Sequence, residues 1–446
     1  MLEIIYILIA LGVTILAHEF GHFAVAKALG MKVEKFSIGF GPKMAGFKKG
    51  ETEYKISWLF MLGGYVKLSG ENPEELDKND KREFLNQHPF RRILVAVAGV
   101  ALNFVFAVFL LWVVFIAGAE TLRPVIGDVM DGYPAKEAGL RKGDVISEIE
   151  GKKIKYWDSI TEALEKSGGR EIKIKVERQG EMKTVALTPV IEETETILKE
   201  KKEKPFIGIS PLVFVPVIDS VASGYPAEKS GLKKGDVIKK INNKKIKYWE
   251  GAVNIIRESK GEKISIVVER GGKTRLFKIK PRIEEAKDEA GNTVKRRVLG
   301  VNPKGNTVKQ SYGLIESGPR AVEKTVYFTV LTAKAIYKMV TRKIEPDVAG
   351  PIGVMHITYK VAKTGIVNLL MLLAIININL VLVNLIPLLP FDGGLIAVFL
   401  TEWIIKRPVP LKVQAALIQI GWAALIILLF LLTYKDIARI VQGAGP

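Results

Sequence analysis

The chain has no cysteine and only four histidines among its 446 residues. Without cysteine no disulfide can form, so any exported domain must be held together by its own hydrophobic core. The 41 glycines are too few for a collagen-like chain, and 48% hydrophobic residues exclude disorder over most of the length. No recognisable nucleic-acid-binding module accompanies the net charge of +19, so nucleic acid is not an expected partner.

Apolar and charged residues are strongly segregated, because a mean hydropathy of +0.20 coexists with 25% charged residues. Four segments are apolar over the roughly 20 residues that a membrane-spanning helix needs: residues 4–26, 93–117, 366–391 and 413–433. Glu3 precedes the first segment, no Lys or Arg does, and ionisable residues lie in its second half. The first segment is therefore not a cleavable signal peptide.

Basic residues in the short loops indicate the orientation. Residues 28–92 contain twelve Lys or Arg, and Lys406, Arg407 and Lys412 lie before the fourth segment. The positive-inside rule places both loops inside, with the N-terminus and the C-terminal tail outside. The remaining basic surface would suit water or anionic lipid headgroups.

The region between the second and third apolar segments contains an internal repeat. Residues 132–157 and 224–249 are identical at 18 of 26 positions, with an offset of 92. This spacing predicts two tandem domains of roughly 90 residues. Their order of helix, Lys-Gly-Asp turn, apolar strand, helix and alternating strands resembles bacterial, circularly permuted PDZ domains, and residues 206–209 resemble a carboxylate-loop strand. Such domains bind an extended peptide at a sheet edge, or could serve only as spacers or gates.

The sequence His18-Glu19-Phe20-Gly21-His22 matches HExxH and lies inside the first apolar segment. On a helix, residues four apart share a face, so both imidazoles can bind one metal ion, and Glu19 can act as general base. With this composition, about 0.004 such matches are expected by chance. Each charged group costs about 2.5–3.5 kcal/mol at a bilayer centre, so such groups usually mark a functional cavity. Gly21 is small enough to let another helix approach closely.

A catalytic zinc site usually needs a third protein ligand. His88 and His356 are poor candidates, because one lies in a polar loop and the other follows a Gly-Pro-Ile-Gly turn. Asp392, in the sequence NLIPLLPFDGG, is the only acid between residues 347 and 402. Counting about 1.5 Å per helical residue from the outer face places His18 and Asp392 at nearly the same depth, close to the inner face.

These features together resemble the site-2 protease family of intramembrane zinc metalloproteases, and within it the bacterial enzymes that regulate sigma-factor release. The likeness covers nearly the whole chain. Residues 63–71 (GGYVKLSGE) resemble the family's membrane-associated β-hairpin, and residues 84–104 resemble its second-span signature. Two departures are Val100 in place of the proline of Ala-Gly-Pro, and Phe391 with a one-residue shift of the preceding proline.

The resemblance implies one zinc ion per chain, bound by His18, His22 and Asp392. Glu19 would be the general base, and Asn384 and Pro387 match positions linked to substrate handling or active-site shape. A helical substrate must unwind before water can attack it, and its freed backbone groups then need partners in a dry medium. An edge strand could supply them by β-addition, and we expect this role for Gly63, Gly64, Tyr65, Val66 and Lys67.

We therefore expect a polytopic α-helical membrane protein with four transmembrane helices, a membrane-associated β-hairpin and two α+β PDZ-like domains. The expected divisions are residues 1–118 for the first two spans and hairpin, 122–193 and 205–285 for the PDZ-like domains, 286–345 for a linker and an amphipathic helix on the membrane surface, and 346–446 for the last two spans. The resemblance implies a bacterial inner membrane, with both termini and the PDZ-like domains outside and the active site near the cytoplasmic face.

The expected substrates are single-span membrane proteins, either anti-sigma-factor-like proteins or remnant signal peptides, already cut by another protease. The PDZ-like domains would gate their access or bind peptide C-termini. Three other interpretations remain open: a membrane-anchored PDZ scaffold with a non-catalytic metal site, a metal-ion transporter, and an HExxH protease with its active site in a soluble domain. The position of HEFGH within an apolar run argues against the last of these.

Overall fold

The computed structural model describes residues 2–259, 262–287, 293–345 and 348–441. The chain forms two compact units. One comprises residues 1–119 and 311–446, and the other comprises residues 120–310. The apolar segments thus belong to the first unit and the internal repeat to the second.

The chain begins with a helix, a long hairpin and a second helix: α1 (Leu2–Ala28), β1 (Val33–Lys49), β2 (Thr52–Leu68) and α2 (Pro89–Ala117), with short 3-10 turns at Pro73–Glu75 and Phe84–Asn86. His88 caps α2, because its side chain accepts a hydrogen bond from the Phe90 N–H. A β-carbon on Gly21 would lie only 2.3 Å from the Ala98 carbonyl oxygen. The small residue therefore allows the close approach of α1 and α2 that its size predicts.

The hairpin is wider than two strands, because β2 bends back along β1. Ile38 pairs with both Ile56 and Gly64, so residues 33–38 lie between residues 53–56 and residues 64–68. Gly63 has a φ of +122° where the strand turns, a conformation that L side chains rarely adopt. Residues 64–68 consequently form an edge strand.

The first repeat contains β3 (Ala119–Leu122), β4 (Ile126–Val129), α3 (Pro134–Glu137), β5 (Val145–Ile149), β6 (Lys152–Lys153), α4 (Trp157–Ser167), β7 (Ile172–Arg178), β8 (Glu181–Leu187), β9 (Val190–Glu195), β10 (Lys201–Phe206) and β11 (Ile209–Pro211). Its main sheet has the order β6-β5-β7-β8, β4 pairs with β11, and β9 pairs with β10. Ile207 and Ile209 lie in its core, although the expected boundary at residue 193 leaves them out. Because β11, which contains Ile209, pairs with β4, these residues belong to the first repeat.

The second repeat contains β12 (Phe214–Val221), α5 (Pro226–Lys229), β13 (Val237–Ile241), β14 (Lys244–Lys245), α6 (Trp249–Glu258), β15 (Ile264–Arg270), β16 (Lys273–Ile279), β17 (Arg282–Lys287), β18 (Thr293–Val298), β19 (Val301–Gly305) and β20 (Thr307–Gln310). The sheet order is β16-β15-β13-β12-β19, with β14 on β13, while β17 pairs with β18 and β20 with β3. Leu299 belongs to this core although it lies beyond the expected boundary at 285. Both repeats share the order helix, strand, short strand, helix and hairpin, offset by 92 residues.

The C-terminal part is helical: α7 (Leu314–Val340), α8 (Pro351–Thr364), α9 (Ile366–Asn384), α10 (Asp392–Ile405) and α11 (Leu411–Val441). The amphipathic helix expected here is α7, and its Ala321 is buried in a core shared with α2 and α9. Its location on a membrane surface remains a prediction. Asp436 of α11 accepts hydrogen bonds from the N–H groups of Gly350 and Gly353, and so caps the start of α8.

Within the described residues, three helices are long and apolar enough to cross a membrane: α2, α9 and the Leu411–Arg439 part of α11. The first apolar segment forms the 27-residue helix α1. The third segment is helical only as far as Asn384, because the chain turns before α10 begins at Asp392. The membrane-spanning role of α1, and hence a total of four spans, remains a prediction.

Candidate metal centre

Three candidate ligand atoms meet where α1, α2 and α10 pack together. The Nε2 atoms of His18 and His22 lie 3.2 Å apart, as expected for residues on one helix face. The Oδ2 atom of Asp392 lies 3.2 Å from the first nitrogen and 3.6 Å from the second. All three side chains are mostly buried, and their ligand atoms lie within 4.8 Å of one another. The structure thus unites residues separated by some 370 positions.

Asp392 reaches this position through a tight turn between α9 and α10. A β-carbon on Gly393 would lie 2.5 Å from the carbonyl oxygens of Leu385 and Ile386, and one on Gly394 would lie 2.4 Å from the Leu389 nitrogen. The two glycines that follow Asp392 therefore allow the turn to fold back on the start of α10.

A buried ion pair joins α10 to α2. An Nη of Arg92 lies 2.7 Å from an Oε of Glu402, and both side chains are less than 10% exposed. Glu402 also accepts a hydrogen bond from the Val409 N–H, and the Arg92 guanidinium stacks over Phe399. These contacts hold the helix that carries Asp392 against the helix that faces the two histidines.

The three side chains fit a divalent metal ion. The Asp392 Oδ2 atom is buried and has no hydrogen-bond partner within the described part of the chain, despite its closeness to both imidazoles. An orphaned carboxylate oxygen is costly unless a cation satisfies it. Gly99 leaves room at the site, because a β-carbon there would lie 2.4 Å from the His22 Nε2. Two imidazole nitrogens and one carboxylate oxygen form a donor set typical of catalytic zinc.

Glu19 lies beside this cluster and contacts the hairpin. Its Oε2 atom accepts a hydrogen bond from the backbone N–H of Val66 at 3.2 Å. The contact places a carboxylate between the metal-binding face of α1 and the edge strand at residues 64–68. The Glu19 carboxylate and this edge strand are thus adjacent.

The other predicted substrate-handling residues of the hairpin lie before and after Val66 in the sequence. Gly63 packs on α1, since a β-carbon there would lie 3.0 Å from Ile15 Cγ2, and Tyr65 pairs with Ser37 in the sheet. Gly64 lies close to β1, because its β-carbon would meet the Ser37 carbonyl oxygen. Lys67 forms ion pairs with Glu34 at 3.2 Å and Glu75 at 2.8 Å.

Asn384 and Pro387 lie at the break between α9 and α10. Asn384 is the half-buried last residue of α9, and Pro387 is exposed in the turn that follows. Both residues belong to the break in the helix that precedes Asp392.

Sequence reasoning did not assign three residues of α2 that touch the histidines. The Val95 carbonyl oxygen lies 2.7 Å from His22 Nδ1, and Asn103 lies 3.4 Å from His18 Nδ1. Gly99 lines the space between the imidazoles. The one available signal was the isolated polar Asn103 in an otherwise apolar segment.

Two imidazoles and a carboxylate that could hold one metal ion, with the Glu19 carboxylate beside them, are an arrangement typical of metal-dependent hydrolases. The model of peptidase family M50 matches residues 6–428. The chain therefore belongs to this family, the site-2 proteases, and is a metalloendopeptidase.

Curated relatives match over nearly their whole lengths. The regulator of sigma-E protease RseP of Escherichia coli is 32% identical over 449 residues, which cover 97% of this chain and 98% of the relative. Protease RseP of Yersinia pestis is 31% identical with the same coverage. A Vibrio cholerae relative, provisionally named a zinc metalloprotease, is 34% identical and also covers 97% of this chain.

A solved PDZ domain, from the SdrC-like protein of Listeria monocytogenes, is 25% identical to a region that covers 20% of this chain and 85% of the domain. The TM-score of that match is 0.16.

Proposed function

We propose that this protein cleaves peptide bonds within the transmembrane segments of single-span membrane proteins. The observation that carries the proposal is the convergence of Asp392, at the start of α10, on His18 and His22 beside Glu19 of α1, a helix that the sequence predicts to span the membrane. One zinc ion per chain would occupy the three ligands. The relatives named as zinc metalloproteases and as regulators of sigma-E support both the metal and the reaction.

The membrane arrangement we propose has four spans: α1, α2, α9 and α11. The basic loop between α1 and α2 would lie on the cytoplasmic side of a bacterial inner membrane. Both termini and the PDZ-like repeats would then lie outside, and the metal site would lie near the cytoplasmic face, where a short polar path suffices to admit water.

The metal and Glu19 have distinct tasks in the proposed mechanism. Bound zinc would polarise the scissile carbonyl and make a water more acidic. Glu19 takes the proton of the attacking water and transfers it to the departing amine. The carboxylate is already aimed, because the Val66 N–H holds one of its oxygens.

The edge strand at residues 64–68 would hold the unwound substrate. A transmembrane helix hides its carbonyl groups in its own hydrogen bonds, so it must open before hydrolysis, and its freed backbone groups then need partners. β-Addition to this strand supplies them, and it places the substrate backbone next to Glu19. Asn384 and Pro387 would shape the opposite wall around Asp392.

The PDZ-like repeats would select substrates. We propose that they exclude proteins with bulky outer domains and admit those already cut by another protease, such as anti-sigma-factor-like proteins or remnant signal peptides. Their sheet edges could also bind the new C-termini that the first cut creates.

The test compares wild-type protein with Glu19→Gln, both purified in detergent. We expect the variant to retain about one zinc per chain, because His18, His22 and Asp392 are unchanged, and to lose cleavage of a panel of single-span peptides by at least about 100-fold. Metal content is measured by atomic emission and cleavage by mass spectrometry. Equal cleavage by the two proteins would instead favour a membrane-anchored PDZ scaffold with a non-catalytic metal.

A further inference from the structure

The two metal-binding imidazoles are held from behind by different groups of α2. His22 Nδ1 lies 2.7 Å from the Val95 carbonyl oxygen, which can only accept a hydrogen bond. A neutral imidazole carries a single N–H, so this contact places the proton of His22 on Nδ1. The lone pair of its Nε2 is thereby left free to bind a metal.

His18 is approached by the Gly99 backbone carbonyl and by a side-chain amide. The Nδ1 atom of His18 lies 3.4 Å from the side-chain amide of Asn103, at its Nδ2 atom. If the Asn103 amide nitrogen donates a hydrogen bond to His18, then His18 Nδ1 must accept it. The single proton of the neutral ring would then lie on Nε2. That proton would point at the two atoms that Nε2 approaches most closely, His22 Nε2 and Asp392 Oδ2, and would occupy the position of the metal.

The other atom of the same amide offers a way to remove this conflict. Asn103 is fully buried, and its Oδ1 atom has no hydrogen-bond partner within the described part of the chain. Amide oxygen and nitrogen are nearly equal in size, so the group fits its pocket in either orientation and hydrogen bonding decides between them. A half-turn of the amide turns Oδ1 toward His18 Nδ1.

We propose that Asn103 is a positioning residue whose Oδ1 accepts the Nδ1 proton of His18 and so keeps the His18 Nε2 lone pair free for the metal. The inference rests on the metal site of the proposed function. It gives His18 the same kind of support that His22 receives from the Val95 carbonyl. It also accounts for the isolated polar residue in the apolar α2, which packing alone does not require.

The decisive experiment measures zinc affinity in the full-length protein by competition with a chelator. We expect Asn103→Leu, which fills a similar volume but cannot accept a hydrogen bond, to weaken zinc binding by about 10–100-fold. Asn103→Asp keeps an acceptor at the same place, so its affinity should stay within about threefold of the wild type or increase. Wild-type affinity in Asn103→Leu, or an equal loss in both variants, would overturn the proposal.

A matched control distinguishes a hydrogen-bond effect from the loss of any buried amide. Asn377 of α9 is also fully buried, and its Nδ2 donates to the Leu373 carbonyl and to Thr14 Oγ1 rather than to a histidine. Asn377→Leu should therefore leave zinc affinity unchanged. A loss there as large as in Asn103→Leu would show that the effect is not specific to His18 and would contradict the proposal.

The scarcity of histidine permits a second test that does not depend on any variant at position 103. With only four histidines, ¹⁵N-histidine labelling yields four ring spectra, and His18→Gln identifies the one that belongs to His18. In zinc-free wild-type protein at a pH where the rings are neutral, the proton should lie on Nδ1 of His18, and a proton on Nε2 would overturn the proposal. Neither this result nor zinc affinity depends on cleavage, so failure of the proteolytic function is a separate outcome.

Discussion

Gly99 shows how much a single missing side chain decides at the metal site. Its backbone lies between the two imidazoles, with the position of a β-carbon 2.4 Å from His22 Nε2 and 2.8 Å from His18 Cε1. Contacts this short could be relieved only by moving an imidazole ring away from the place where the three ligand atoms meet. The glycine thus belongs to the site although it has no side chain.

We predict that Gly99→Ala abolishes zinc binding while the protein still folds. The added methyl group displaces His22 Nε2, and an error of about 1 Å in a ligand is enough to impair such a site. The measurement is zinc per chain after purification, together with the thermal unfolding temperature. Gly251→Ala is the control, because that helical glycine has open space around it and the change should leave zinc content unaltered. A Gly99→Ala protein with a full zinc complement would contradict this view of the site.

The edge strand at residues 64–68 presents backbone groups to α1. The Val66 N–H is committed to Glu19, whereas its neighbour Tyr65 pairs with Ser37 of β1. Proline is tolerated on an edge strand where the missing N–H faces away from the sheet. A backbone hydrogen bond can therefore be removed here without disrupting the hairpin.

We predict that Val66→Pro lowers kcat/KM by about 10–100-fold, the effect expected from losing a hydrogen bond to a charged group. Val66→Ala keeps the N–H and should remain close to wild type, so the pair separates the backbone contribution from that of the side chain. Both variants should retain zinc. Equal activities of the two would show that the Val66 N–H plays no part in catalysis.

The two repeats share an ion pair between a buried carboxylate, just before one strand, and an arginine at the end of another. Arg178 and Asp144 in the first repeat correspond to Arg270 and Asp236 in the second, at the same offset of 92. Burial by itself would raise the pKa of Asp236, but the Arg270 guanidinium and the Lys233 N–H together hold that pKa below its usual range. The carboxylate therefore stabilises the folded domain whenever it is ionised.

We predict that this contribution is complete above about pH 4, the ordinary carboxyl range of the unfolded chain, and is lost as the pH falls through the lower folded pKa. Asp236→Asn should lower the free energy of unfolding of this domain by about 1–3 kcal/mol at neutral pH. It should also lessen the loss of stability in acid. Hydrogen exchange of the full-length protein between pH 3 and 7 measures both effects. An unchanged acid dependence in Asp236→Asn would argue against the assignment.

The whole molecule is divided into two compact units. The repeat-containing unit runs from residue 120 to residue 310, so it is an insertion in the sequence of the other unit. The unit formed by residues 1–119 and 311–446 contains every residue of the metal site. A deletion of the repeat-containing unit can therefore test the proposed role of the repeats in substrate selection without removing the metal site.

We predict that replacing residues 120–310 with a flexible linker allows cleavage of substrates that have not been cut by another protease. Already trimmed substrates should be cleaved at rates similar to those of the full chain, because the metal site lies outside the deleted residues. The same deletion with Glu19→Gln is the control and should cleave neither substrate. Trimmed substrate cleaved while untrimmed substrate stays intact would rule out gating by the repeats.

Local patterns in the sequence determined much of this protein. The apolar segments predicted the long helices, the 92-residue offset predicted two matching domains, and HEFGH placed His18, Glu19 and His22 on one helix. Such features can be read from a sequence because helical periodicity, turn glycines and repeats are encoded within a few tens of residues. Asp392 could be selected as a candidate only because acids are rare in apolar sequence.

Only the tertiary structure decided which distant groups meet. It brought Asp392 to the histidines by a break after Asn384, and it directed the Val66 N–H to Glu19. It also assigned the β11 residue Ile209 to the first domain and placed Gly99 between the imidazoles. Such contacts arise from how helices and strands pack against one another. Packing depends on side chains hundreds of positions apart, so no periodicity within one segment can reveal it.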